Sequence, residues 1–186
     1  MLILPQKLQP FSKSLSKPDF DAWIHFYEED YKFSKFRKNP EAYLSHLSQF
    51  PGVISPDASI GWCDSLKIQK KNASFNTECA ILLEQQGLNC IRNVRYGDAR
   101  SYDFCFKDVP HNSILAIGTH GALRRADYRL VLQAGLDELC DIKKPHTLLI
   151  YGYTPKEIFQ KHIDSGIKLI RFPSEFELSH GGSNGT

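Results

Sequence analysis

The 186-residue sequence predicts a single α/β domain with a mainly parallel sheet, and three observations carry that prediction. Candidate strands with apolar runs recur at 53–54, 114–117 and 147–151, and further candidate strands at 88–94 and 167–172. Segments of helical periodicity lie between them, and Gly87 and Gly166 stand where two of those segments should stop. The runs are continuous rather than alternating, the pattern of strands covered by helices on both faces. An open three-layer sandwich is the first expectation and a partial or distorted barrel the second. The strand order is left open.

The first 50 residues read differently. Pro5, Pro10 and Pro18 break the opening segment, and Phe20, Trp23, Phe26 and Tyr27 then fall at helical spacing. Asn39-Pro40-Glu41 is a helix start, with Asn39 as cap and Pro40 in the first turn. Tyr43, Leu44 and Leu47 would be that helix's apolar face. The expected organisation is an N-terminal helical segment (1–50) packed on an α/β domain (51–176), followed by a disordered tail (177–186). Helices are expected at 74–86, 124–140 and 154–166, and a short extended piece at 104–106.

Composition excludes several classes. Hydrophobic residues are 41% and charged residues 24%, ordinary for a globular protein, and a formal net charge of +2 does not mark a general nucleic-acid binder. Any anion site must therefore be local. The five cysteines form no C-x-x-C pair, which disfavours zinc. Their odd number and scattered placement suit buried thiols in a reducing cytoplasm. No signal peptide or membrane-length apolar stretch is read.

Polar and special residues collect where the strands should end: Ser55-Pro56-Asp57, Asn93-Val94-Arg95-Tyr96-Gly97-Asp98, Gly118-Thr119-His120-Gly121 and Tyr151-Gly152. Parallel sheets bind ligands outside the carboxyl ends of their strands, so these loops define the expected cleft. The bland alternative is that α/β loops are polar and glycine-rich anyway. Gly118, Thr119 and Gly121 precede a helix, and Arg124 follows, an arrangement suited to phosphate although it matches no standard glycine-rich fingerprint. The alternative there is a tight turn beside a solvated arginine pair. His120 is the candidate for proton transfer, with a structural donor role as its alternative.

Asp57, Asp98 and Asp103 could hold Mg²⁺ if they converge, but ion pairing with Arg95 or Arg100 is preferred. Asp57 and Asp98 join His120 as candidate catalytic residues. Ser55, Asn93, Arg95, Ser101, Asp103 and Tyr151 complete the candidate ligand-binding set. No local base activates Ser101, and Cys105 in its apolar run reads as an inert thiol.

These same segments, with Ser101-Tyr102-Asp103-Phe104-Cys105-Phe106 and Leu149-Ile150-Tyr151-Gly152, resemble a domain-of-unknown-function family, forty-four-seventeen, in order and spacing. The resemblance runs from about residue 31 to about residue 175. Family members often carry Trp where this chain has Tyr96, and an aromatic pair where it has Ile60-Gly61-Trp62. The resemblance implies a phage or mobile-element setting and carries no mechanism. The expected function is binding of a nucleotide or nucleic-acid phosphate in the strand-end cleft, with phosphodiester or nucleoside hydrolysis if the protein is an enzyme. The alternative is a non-catalytic, anti-defence type of protein that sequesters a nucleotide signal or blocks a host partner.

Overall fold

The computed structural model describes residues 3–119, 121–123 and 125–179. The chain divides into two compact units, Met1–Pro110 and His111–Thr186. Both are α/β, built from parallel strands joined through helices.

The first unit contains four strands in chain order, β1 (Leu8–Pro10), β2 (Trp23–His25), β3 (Val53–Ile54) and β4 (Cys90–Asn93), each parallel to the next. Its helices are α1 (Phe11–Ser14), α2 (Ser34–Lys38), α3 (Leu44–Leu47), α4 (Leu66–Gln85) and α5 (Tyr102–Cys105), with 3₁₀ turns at Asp30–Phe33, Pro40–Tyr43 and Ala99–Ser101. The second unit contains β5 (Ile114–Gly118), β6 (Thr147–Tyr151) and β7 (Lys168–Phe172), also parallel and in chain order. Between and after them come α6 (Ala126–Lys143), α7 (Lys156–Asp164) and α8 (Glu175–Ser179). No helix among the described residues is long and apolar enough to cross a membrane.

Sequential strand order has a consequence for layering. A three-layer sheet must reverse its winding, whereas crossovers of one hand between successive neighbours keep their helices on one face. Neither unit reverses, so the winding is the barrel-like one of the two arrangements expected from the sequence.

Two local expectations are corrected. Phe20, Trp23, Phe26 and Tyr27 do not share a helix; Trp23, Ile24 and His25 form a strand buried at every position. A strand with both faces covered carries no period of its own, so the accidental helical spacing of the aromatics misleads. The N-terminal segment thus supplies two strands as well as short helices. Residues 104–106 are not extended: Tyr102 to Cys105 are helical, and Phe106 stacks on Tyr102 with ring centroids 5.0 Å apart. The Asn39 cap is present, its side chain accepting from the Ala42 N–H at 3.4 Å.

The core of the first unit is aromatic. Phe11, Phe26, Phe33 and Phe36 are buried together with Ile24, Leu47, Val53 and Leu83. Phe11 and Phe26 stack at 4.9 Å, and Phe33 meets Phe26 edge-on at 5.5 Å. Trp23 lies flat against the backbone at Gly52, where a Cβ would come within 2.5 Å of its ring. Helix α4 begins eight residues earlier than the sequence suggests, at a Ser65 cap. Its early buried positions are Gln69, Ala73 and Asn76, which keep the helical spacing without an apolar signal.

Candidate functional site

In the first unit the strand-end residues do come together. The carboxyl ends of β2, β3 and β4 bring His25, Tyr27, Ser55, Asp57, Asn93 and Arg95 into one polar cluster. Asn93 is its centre. Its backbone N–H donates to Ser55 Oγ at 2.9 Å, its side-chain amide donates to Asp57 Oδ1 at 2.8 Å, and its Oδ1 accepts from the Tyr27 hydroxyl at 3.0 Å. Arg95 Nη1 lies 3.6 Å from Asp57 Oδ2. The Asp57 side chain is 11% exposed and that of Arg95 29%, so solvent reaches the guanidinium more readily than the carboxylate.

Burial raises the Asp57 pKa above the ordinary carboxylate value. The Arg95 charge and the Asn93 hydrogen bond oppose that shift, and the charge of Asp30 adds to it. Asp30 is itself held by Ser59, whose hydroxyl donates to it at 2.9 Å. The loop after Asp57 is tied to α4: Asn76 accepts from the Ala58 N–H at 2.8 Å and donates to the Ala58 carbonyl at 3.1 Å. A crevice of about 20 Å³ lined by Asn76, Asn93, Arg95 and Asp108 has room for a water molecule but not a nucleotide.

His25 is buried, and desolvation pushes its pKa down to about 3. Its Nδ1 accepts from the Tyr27 N–H at 3.1 Å, which leaves the proton of the neutral ring on Nε2. Sequence reasoning missed His25, Tyr27 and Asn76. The first two were hidden by the helical reading of their segment, and a lone polar residue inside α4 gives no signal.

The next loop makes its own closed set. Asp98 accepts from the Arg100 backbone N–H at 3.1 Å and pairs with its guanidinium at 2.7 Å, and Arg100 holds the carboxyl below its usual range. Ser101 is buried, donates to the Asp98 carbonyl at 2.7 Å and accepts from the Gly97 N–H at 2.9 Å. Asp103 is exposed in the first turn of α5. Asp57 and Asp98 therefore both take the ion-paired arrangement. Among the described residues no three His, Cys, Asp or Glu side chains gather to hold a metal ion. Cys105 is buried, and its thiol is pushed up to about 11.

In the second unit β5, β6 and β7 end in register, Gly118 opposite Tyr151 and Tyr151 opposite Phe172. Thr119 is buried one residue past that line, its N–H donating to the Tyr151 carbonyl at 2.9 Å and its hydroxyl to the Tyr153 carbonyl at 2.8 Å. Gly121 follows with φ +85°, a left-handed conformation that suits glycine. The Tyr151 hydroxyl accepts from the Glu175 N–H at 3.0 Å and braces α8. Above these ends lies an open cleft of about 390 Å³ lined by Thr119, Leu123, Tyr153, Ser174, Phe176 and Glu177. His120 and Arg124, the proposed proton-transfer and phosphate residues of this segment, lie outside the described residues, as do 180–186 of the expected tail, whereas residues 177–179 of it are ordered as the end of α8.

The chain is similar to two phage proteins. It is 28% identical over 130 residues to the Gene 1 protein of Mycobacterium phage D29, covering 69% of this chain and 48% of that protein. It is 29% identical over 130 residues to the Gene 1 protein of Mycobacterium phage L5, covering 69% of this chain and 56% of that protein. The chain thus spans about half the length of the curated relatives it matches. No solved structure matches it. A family model matches residues 2–173, well beyond the N-terminal limit read from the motifs, and the chain belongs to that phage-associated family, the Domain of unknown function (DUF4417).

Proposed function

We propose that this protein binds the phosphate of a nucleotide or nucleic acid at the carboxyl ends of its parallel strands, with Arg95 as the contact in the first unit. The observation that carries this reading is the Asp57–Arg95 pair. At 3.6 Å it is a loose pairing, and it leaves N–H donors of a part-exposed guanidinium for another anion. Burial already favours the neutral form of Asp57. A phosphate arriving beside it favours that form further, so binding at Arg95 is coupled to proton uptake by Asp57. A protonated Asp57 would also be a proton donor, the role a hydrolysis reaction asks of it. His120 keeps its proposed role in proton transfer on sequence grounds alone.

A second reading, non-catalytic sequestration, is favoured by a specific observation. Ser101 spends its proton on the Asp98 carbonyl, and Asp98 is committed to Arg100, so that loop offers no activated nucleophile. Native mass spectrometry of freshly purified protein tests the binding itself, with a copurified nucleotide expected. Turnover assays of Asp57→Asn and His120→Ala then separate the readings: hydrolysis collapses in an enzyme, whereas a sequestering protein shows no turnover even as wild type. A protein that binds neither nucleotides nor oligonucleotides ends both.

A further inference from the structure

We infer that the strand-end cleft of the second unit binds a nucleobase that carries an exocyclic amino group. The inference goes beyond the Arg95 contact and stands without it. The volume, about 390 Å³, lies within the about 300–1,000 Å³ usual for small-molecule sites. Its place outside the carboxyl ends of β5, β6 and β7 is where parallel sheets take ligands. Two of its lining residues are aromatic rings left largely in solvent, Tyr153 at 55% exposed and Phe176 at 56%. Planar heteroaromatic rings stack on such faces whatever their substituents.

The polar lining selects among those rings. Thr119 spends its hydroxyl proton on the Tyr153 carbonyl at 2.8 Å, and Ser174 donates its own to Glu177 Oε2 at 3.0 Å. Glu177 also accepts from the Ser174 N–H at 2.9 Å and pairs through Oε1 with Arg171. A carboxylate offers about four acceptor positions, so one remains beside Arg171. Thr119 and Ser174 are buried with their protons spent, so the polar group the cleft presents is the Glu177 carboxylate, which offers lone pairs rather than protons and complements an N–H donor. Adenine and cytosine carry an amino group where hypoxanthine and uracil carry a carbonyl, which would face those lone pairs without a proton between them.

Isothermal titration of the full chain with adenosine, cytidine, inosine and uridine tests this without any phosphate present. Adenosine and cytidine should bind, with inosine and uridine weaker by about tenfold or more. Tyr153→Ala and Phe176→Ala should each weaken adenosine binding by at least about fivefold, the lower end of base stacking on an aromatic ring. Both rings are exposed, so the variants should keep the fold, which circular dichroism verifies. Absence of nucleoside binding at millimolar concentration, equal affinity for adenosine and inosine, or unaltered binding by the two aromatic variants would each overturn the assignment. Those results would leave phosphate binding at Arg95 standing, because nucleosides do not report on it.

Discussion

Asp57 and His25 sit at neighbouring strand ends of one unit and are desolvated in opposite senses. Burial raises the carboxylate's pKa and lowers the imidazole's, shifting each toward its neutral form. The stability consequences have opposite signs. His25 stays neutral in the folded protein down to about pH 3, while the unfolded ring takes a proton near 6.5. Stability should therefore fall as pH drops below 6.5, by on the order of 1.4 kcal/mol per pH unit from this group. Chemical denaturation of His25→Gln between pH 7 and pH 4 should show a shallower loss than wild type. Asp57 contributes stability that is full below the ordinary carboxylate pKa and is lost as pH rises through its higher folded value. Asp57→Asn keeps an acceptor for Asn93 and removes that dependence. The stability of the variant relative to wild type should increase from pH 4 to pH 7, and a constant difference would show that Asp57 carries no shift. Asp57, Asn93, Arg95 and Ser55 were legible in the sequence because a parallel strand's end is a conspicuous place for polar residues. His25 and Tyr27 were not, because their strand is short, aromatic and buried on both faces.

Elements hold these residues through a few side-chain ties. Helix α4 carries Asn76 at a buried position, where it satisfies both the N–H and the C=O of Ala58, one residue past Asp57. Replacing Asn76 with Ala strands two buried backbone groups and should cost about 2 kcal/mol or more. Urea unfolding measures that loss, and a change within about 0.5 kcal/mol would mean the loop is held by something else. The same helix shows why element boundaries were only partly readable. Its C-terminal half announces itself through Cys79, Ala80 and Leu83, and Gly87 ends it with φ +78°. Its N-terminal half buries Gln69, Ala73 and Asn76, so hydrophobic periodicity fades where packing continues. Strands β5 and β6 were located within a residue or so because their apolar runs are continuous, and β7 because Gly166 and Pro173 bracket its Leu169-Ile170 pair. Helix α5 was misread because three aromatic and thiol side chains in a row suit a strand as well as one helical turn.

At the scale of the molecule, parallel strands following one another in chain order put every βα loop of a unit at the same end. That rule made the location of candidate sites predictable while the strand order was not. Apolar runs give strand existence, but order depends on which edge each crossover returns to, and no single residue encodes it. The phage relatives extend well beyond the matched region. The proposed contribution of this domain is an arginine held at a strand end by a carboxylate whose pKa is raised by burial. Fluorescence anisotropy with a labelled single-stranded oligonucleotide, and competition by ATP, test that claim most directly. Wild type should bind more weakly as salt increases, because phosphate contacts release counterions. Arg95→Ala should lose about tenfold or more in affinity with a shallower salt slope, whereas equal affinity and equal slope for the two proteins would contradict the assignment.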